Sequence, residues 1–417
     1  MPNRKNLITI FFENFLPYFR TKIDAHILWL VYAPERIISP NKKITGESIL
    51  DIHDYRDASD VIEREKPDLI FASPDWNFID YAFSAAAKLY NIPVFFMTTN
   101  LTPQLNKGRN TTSFSTSFVR FFESTVLTDT ENNKKQIFRR GRFFLKKYWF
   151  LVKTQTRLNN EIFLTLFGIW KFILTGKNYY RFGSDIIQFI ENKHTRELMI
   201  KDGFNKSNLI ISGNPIYDSF FKTCKFNEQS SKISYNILFT PSTASEHGYW
   251  TSDQRNMTFT QIVKEISKQR KFNLTIKIHP SSSIIDDYYS ILKKIDSKVP
   301  IFQQGSIIEY LEDMDVIITS PFSSSAETYA LLAKKRIVIC NFFDQDYEDP
   351  MVENGVAISC RTPSMLCDSI EKALDLQLYE QNREKFIENF LFKWDGNSSK
   401  RITEKLLDIL QKNKSEF

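Results

Sequence analysis

Several things are scarce in these 417 residues, and each scarcity narrows the function. There are four cysteines (Cys224, Cys340, Cys360 and Cys367), with no CxxC pair and no metal-ligand spacing. That argues against a disulfide framework or a structural zinc site and for reduced structural thiols in a cytoplasmic protein. The chain has five histidines, without a cluster, so a metal is not implied. No glycine-rich phosphate fingerprint occurs in the first hundred residues. The longest apolar run, IFLTLFGIWKFIL at 162–174, is 13 residues with a lysine inside. Crossing a bilayer takes about 20. The start, MPNRKNLITIFFENF, is basic, but Glu13 and Asn14 break its apolar run and no small-residue cleavage site follows. It reads as a first strand and not as a signal peptide. A net charge of +6 is modest for this length and gives no reason to expect a nucleic-acid partner.

What is present is a full core. Hydrophobic residues are 42 % and charged residues 25 %, as in a soluble globular protein. The length suggests two or three domains of roughly 150 residues. In the first hundred residues, apolar runs at 6–12, 26–33, 68–74 and 93–99 alternate with helical patterns, notably 78–90. Short all-apolar strands between amphipathic helices indicate a parallel sheet covered on both faces. From about 101 to 205 the segment reads as helical and is rich in aromatics and cations. A strand at 208–212 then meets Gly213, Asn214 and Pro215. The polar stretch KTCKFNEQSSKIS, 222–234, is the linker candidate. Six further strands are expected at 236–242, 273–279, 299–304, 315–320, 336–343 and 355–360, with helices between most of them. Two helices, 379–392 and 397–412, close the chain. The fold class is therefore α/β, with two doubly wound Rossmann-like domains facing across a cleft and a helical basic insertion in the N-terminal half. The domain reading is 1–221, linker 222–234, 235–392 for the nucleotide-binding domain, and 393–417 for a closing helix.

Ligands of open parallel sheets bind at the carboxyl ends of the strands. Three such ends in the C-terminal half carry small polar groups: PSTASEHG, HPSSS and SPFSSSAET. One serine of Ser323, Ser324 and Ser325 is accounted for by capping. The remainder leave an open helix N-terminus suited to phosphate. Glu327, one turn in, can accept from ribose hydroxyls. His279, locked by Pro280 and followed by serines, can donate to a phosphate and stabilise a leaving group, or it can be a satisfied structural histidine. Asp75, after the strand at 68–74, is a candidate general base or an ordinary N-cap. Glu246 and His247 are alternatives for that role.

These residues resemble known families. NLIISGNPIYD resembles an element of the UDP-N-acetylglucosamine 2-epimerase group. IKIHP followed by SSSAE resembles the HP and serine motifs of GT-B bacterial sialyltransferases, Kdo transferases and CDP-glycerol glycerophosphotransferases. WDGNSSKRITEKLLDIL, 394–410, resembles the closing element of the same broad group. The resemblance implies a GT-B fold whose last helix crosses back to the N-terminal domain. It implies donor-phosphate binding by His279, Pro280 and Ser323–Ser325, ribose binding by Glu327, and nucleotide contacts at Gly213 and Asn214. The implied donor is CMP-, CDP- or UDP-linked, with no further cofactor. The departures favour transfer over epimerisation. SSSAET stands where the epimerases have a glycine pair and two acidic residues, and MTTNLTP where they carry a glutamate.

The segment 134–157 holds nine lysines and arginines, and no acidic residue occurs from 132 to 160. Arg139, Arg140, Arg142, Lys146 and Lys147 are interleaved with aromatics, Trp149 among them. The segment is a solvated helical face or an anionic-membrane contact. The expectation is a cytoplasmic transferase, peripheral on the inner membrane face if that contact forms. It would act on a surface-polysaccharide (capsule-type) or lipid-linked glycan acceptor. The alternatives are a nucleotide-sugar epimerase and a non-catalytic glycan- or membrane-binding scaffold.

Overall fold

The structure is a computed structural model. It describes residues 5–9, 16–22, 24–31, 47–72, 78–98, 149–154, 156–157, 186–201, 203–224, 233–243, 245, 250–280, 282, 285–321, 324–343 and 348–415. The described residues of Met1–Leu101, Thr111–Ser219 and Phe390–Phe417 form one compact unit, and those of Phe220–Asn389 a second.

The first unit is built on seven strands: β1 (Lys5–Thr9), β2 (Ala25–Val31), β3 (Glu47–Asp51), β4 (Leu69–Ala72), β5 (Val94–Thr98), β6 (Ile187–Ile190) and β7 (Leu209–Ile211). Their order is β3-β2-β1-β4-β5-β6-β7. Every pairing is parallel. Side chains alternate across a strand, so the unbroken apolar runs bury both faces. Leu28, Leu30, Ile70, Ala72 and Phe96 pack on one face against Ile62, Phe83, Ala86, Phe150 and Leu151. Ile27, Leu69, Phe71, Phe95 and Phe189 pack on the other against Phe19, Ile402 and Leu406. The last two belong to the final helix, Ser398–Ser415, which therefore supplies part of that cover layer.

The second unit has six strands: β8 (Tyr235–Thr240), β9 (Phe272–Lys277), β10 (Ile301–Phe302), β11 (Val316–Thr319), β12 (Arg336–Cys340) and β13 (Ile358–Cys360). Their order is β10-β9-β8-β11-β12-β13, again with parallel pairing throughout. The chain winds outward from β8 to β10, returns beside β8, and winds outward the other way. This is the doubly wound pattern, with its switch point between β8 and β11. Ile237, Phe239, Ile276, Val316, Ile318 and Val338 form one apolar face under Phe259, Val263, Tyr288 and Ile370. Cys340 and Cys360, opposite each other in register, lie in that core, and all four cysteines are free.

The sequence reading needs correction at three elements. The stretch 101–205 is not helical to its end: Ile187–Ile190 is a sheet strand, followed by the helix Lys193–Lys201. Gln188 interrupts the apolar run of β6 yet is buried, so propensity hides that strand. β3 was not anticipated, because ESILD carries charge at both ends; it survives as a half-buried edge strand. Glu47 there accepts from Trp29 Nε1 at 2.9 Å and pairs with Arg20. β10 is two residues long instead of six.

Candidate active site

The carboxyl edge of the second sheet gathers three of the expected segments. β8 and β11 lie side by side in register, Thr240 opposite Thr319. Both threonines turn their hydroxyls inward. Thr240 Oγ1 donates to the Ile318 carbonyl at 3.4 Å, and Thr319 Oγ1 donates to Glu327 Oε1 at 2.7 Å. Glu327 is fully buried in the first turn of the helix Ser324–Leu332. Its carboxylate thus braces the strand-to-helix turn from inside. Ser325, two residues into the helix, is exposed. The first N–H groups of a helix have no intrahelical acceptor, and here they open beside the switch point.

On the other side of β8, β9 ends at Lys277, and His279 follows with its side chain exposed. The ends of β9 and β11 therefore flank β8. The His279 carbonyl accepts from the Ser282 N–H at 3.0 Å, which closes a tight turn through Pro280. Lys277 is buried, and desolvation lowers its pKa from the usual lysine range; its Nζ donates to the carbonyls of Ile278 at 3.0 Å and Gln303 at 2.7 Å.

Gly213 and Asn214 sit in the first unit and are engaged in an internal joint. Gly213 has φ +76°, and a Cβ there would lie 2.6 Å from Ser398 Oγ. Asn214 caps the turn Pro215–Tyr217, accepting from the Ile216 N–H at 3.1 Å. Asp218 accepts from the N–H groups of Ser398 at 3.0 Å and Ser399 at 2.7 Å, and from the Ser399 hydroxyl. Arg401 donates to the Ser212 carbonyl at 2.7 Å and grips Asp395 through Nη1, at 3.0 and 2.8 Å from its two oxygens. The two motifs SGNPIYD and DGNSSKR are therefore complementary halves of one contact. Beside it, at the end of β6, burial pushes the Glu191 carboxyl up to about 8 from an ordinary 4.5, against a hydrogen bond from Asn214 that lowers it.

Asp75, Glu246, His247, Ser323, Arg139, Arg140, Arg142, Lys146 and Lys147 lie outside the described residues, and of Ser324 only the backbone is described. Trp149 is exposed at the start of a short helical stretch. Among the described residues no group of three or more His, Cys, Asp or Glu could hold a metal ion, and no helix is long and apolar enough to cross a membrane. Reading by motif missed Glu191, Asp218, Arg401, Lys277 and Gln303. Asp218 and Arg401 stood inside quoted motifs. Lys277 also stood inside one, IKIHP; Gln303 gave no local signal.

No family model matches the chain, and no curated protein matches it. Solved structures do. Staphylococcus aureus MnaA in complex with UDP superposes with TM-score 0.55 at 14 % identity, over 98 % of this chain and 97 % of that one. A putative UDP-N-acetylglucosamine 2-epimerase from Listeria monocytogenes gives TM-score 0.56 at 12 % identity, over 98 % of each chain. The glycosyltransferase SnogD from Streptomyces nogalater gives 0.51 at 10 % identity, over 97 % of this chain and 99 % of that one. At such identities the likeness speaks for architecture: the chain has the GT-B fold, two Rossmann-like domains of the kind found in nucleotide-sugar epimerases and glycosyltransferases.

Proposed function

We propose that the chain is a GT-B transferase moving a sugar, or a sugar-like alditol phosphate, from a CMP-, CDP- or UDP-activated donor onto a surface-polysaccharide or lipid-linked glycan acceptor. One observation carries the reading: His279 and the N-terminus of Ser324–Leu332 both rise from the carboxyl edge of a doubly wound sheet, on either side of the strand at its switch point. The helix N-terminus and the serines hold the donor phosphate. His279 donates to it as the bond to the transferred group breaks and negative charge collects on the departing phosphate. Asp75, or Glu246 or His247 in its place, takes the proton of the attacking acceptor hydroxyl. Glu327 keeps the turn shaped for this, through Thr319. The basic stretch 134–157 brings the enzyme to an anionic membrane where a lipid-linked acceptor resides; cosedimentation with anionic vesicles that fades with salt checks that part.

The test begins with nucleotide binding. Titration calorimetry with CMP, CDP and UDP should find one that binds the wild type, and His279→Ala should weaken it and abolish transfer while leaving the melting temperature within about 2 °C. A His279→Ala variant with near-normal turnover removes the mechanism. A second reading, epimerisation, is favoured by the solved structures themselves, since one of them is an epimerase bound to UDP-N-acetylglucosamine. NMR of UDP-N-acetylglucosamine incubated with the protein alone separates the two, because transfer needs an acceptor. If no nucleotide binds, the scaffold reading replaces both.

A further inference from the structure

The loop that carries His279 is held from outside its own strand. The register pairs Ile301 with Ile276 and Phe302 with Lys277, so Gln303 is the next residue along β10's direction, beside Ile278. From there its side-chain amide spans the turn: Nε2 donates to the Ser282 carbonyl at 2.7 Å and, more weakly, to the Pro280 carbonyl at 3.4 Å. Its own carbonyl receives Lys277 Nζ at 2.7 Å, and Lys277 also donates to the Ile278 carbonyl at 3.0 Å. The Ile278 N–H donates to the Phe302 carbonyl at 2.8 Å, and the Ser282 N–H closes onto the His279 carbonyl at 3.0 Å. Carbonyls of residues 278, 279, 280 and 282 are all accounted for within this small frame. Unheld backbone at residues 278–280 and 282 would sample many conformers, and ordering it costs entropy at the moment of binding. Here that ordering is already done, and the donors doing it are Gln303 and Lys277.

We propose that Gln303 is a positioning residue for His279: it presets the backbone at Pro280 and Ser282 so that the imidazole is presented in one arrangement to the donor phosphate. The proposal rests on the nucleotide reading for its purpose, but not for its physical content, which is the state of the loop.

The experiment compares wild type with Gln303→Ala, which removes the donor, and Gln303→Glu, which keeps the shape and puts an acceptor against two carbonyls. Three readouts are taken: amide hydrogen exchange across 278–283, the His279 imidazole resonance, and affinity for whichever of CMP, CDP or UDP binds the wild type. The resonance is assigned by its loss in His279→Gln. The expected result is Ser282 exchange faster by at least about tenfold, a displaced His279 resonance, and affinity weaker by about five- to tenfold, all larger in Gln303→Glu than in Gln303→Ala. Exchange in β11 and β12 should stay unchanged. If Gln303 only fills space, the isosteric Gln303→Glu behaves as wild type in all three. Unchanged Ser282 exchange and an unmoved His279 signal in both variants overturn the proposal. If the wild type binds none of the three nucleotides, the reading of function fails, and exchange and resonance still decide the role of Gln303.

Discussion

Glu191 shows how much a single side chain can be asked to bear. It ends β6 with 8 % of its surface exposed, and its partner is Asn214. Burial penalises the charged form, so the carboxyl stays protonated until about pH 8, where an exposed glutamate ionises near 4.5. The sign follows from proton counting. Between those two values the unfolded chain has released the proton and the folded chain has kept it, so stability falls as pH rises through the interval and levels off above it. Each unit of displacement corresponds to about 1.4 kcal/mol, so the effect on stability is on the order of a few kcal/mol. Glu191→Gln keeps the shape and removes the titration. The variant should be the more stable protein at pH 8, and the two should converge towards pH 4.5. Urea midpoints at pH 5, 6.5 and 8 measure this; parallel curves at all three would show that Glu191 is ionised in the fold. The residue was not legible beforehand, because a glutamate after a short apolar run looks like any helix-capping acid.

Elements were legible where their pattern was simple and hidden where it was mixed. β4, β8 and β11 are apolar on both faces and announce themselves. β6 was lost inside an aromatic-rich stretch because a buried Gln188 breaks its pattern. β10 was overestimated, since only two of its residues pair. His279 could be found because a strand end is visible in sequence; Gln303 could not, because its role depends on the register between β9 and β10. SGNPIYD was read for nucleotide contacts at Gly213 and Asn214, and DGNSSKR as part of a closing element; in the structure the two form a joint between β7 and the start of the last helix. Asp218 works there as a helix cap supplied from far away in sequence, taking the orphan N–H groups of Ser398 and Ser399. Asp218→Ala leaves those buried donors unpaired and should cost about 1–3 kcal/mol. Gly213→Ala should cost a similar amount, about 1–3 kcal/mol, because φ +76° strains any other residue and the new Cβ meets Ser398. The two share Ser398, so the double variant should lose less than the sum. Chemical denaturation of the three variants measures this; strict additivity would show that the contacts are independent.

At the scale of the molecule, the chain order and the fold order differ. The first unit is begun by the first half of the sequence and completed by its last segment. That completion is substantial. Ile402 and Leu406 are fully buried against Phe19, Ile27, Phe71 and Phe95, on a face of the first sheet that has few other apolar covers among the described residues. The second unit has its own core, made of residues between Ile237 and Ala373. Removing the last helix therefore has an uneven consequence. A chain ending at residue 396 uncovers one face of β2, β4, β5 and β6 and also frees Asp218 and the Ser212 carbonyl from their partners. Leu406→Ala alone should cost about 2–5 kcal/mol, the range for emptying a buried leucine site. In the truncated chain, hydrogen exchange should lose protection in β1–β7 and retain it in β8–β13, and calorimetry should keep a transition belonging to the second unit. If the second unit is also the nucleotide site, the truncated protein still binds the nucleotide that the whole protein binds, with affinity reduced but measurable, and has no transfer activity. Loss of protection in both sheets together would mean that the two cores melt as one, and the division of labour between a nucleotide-binding half and a half completed by the last helix would have to be abandoned.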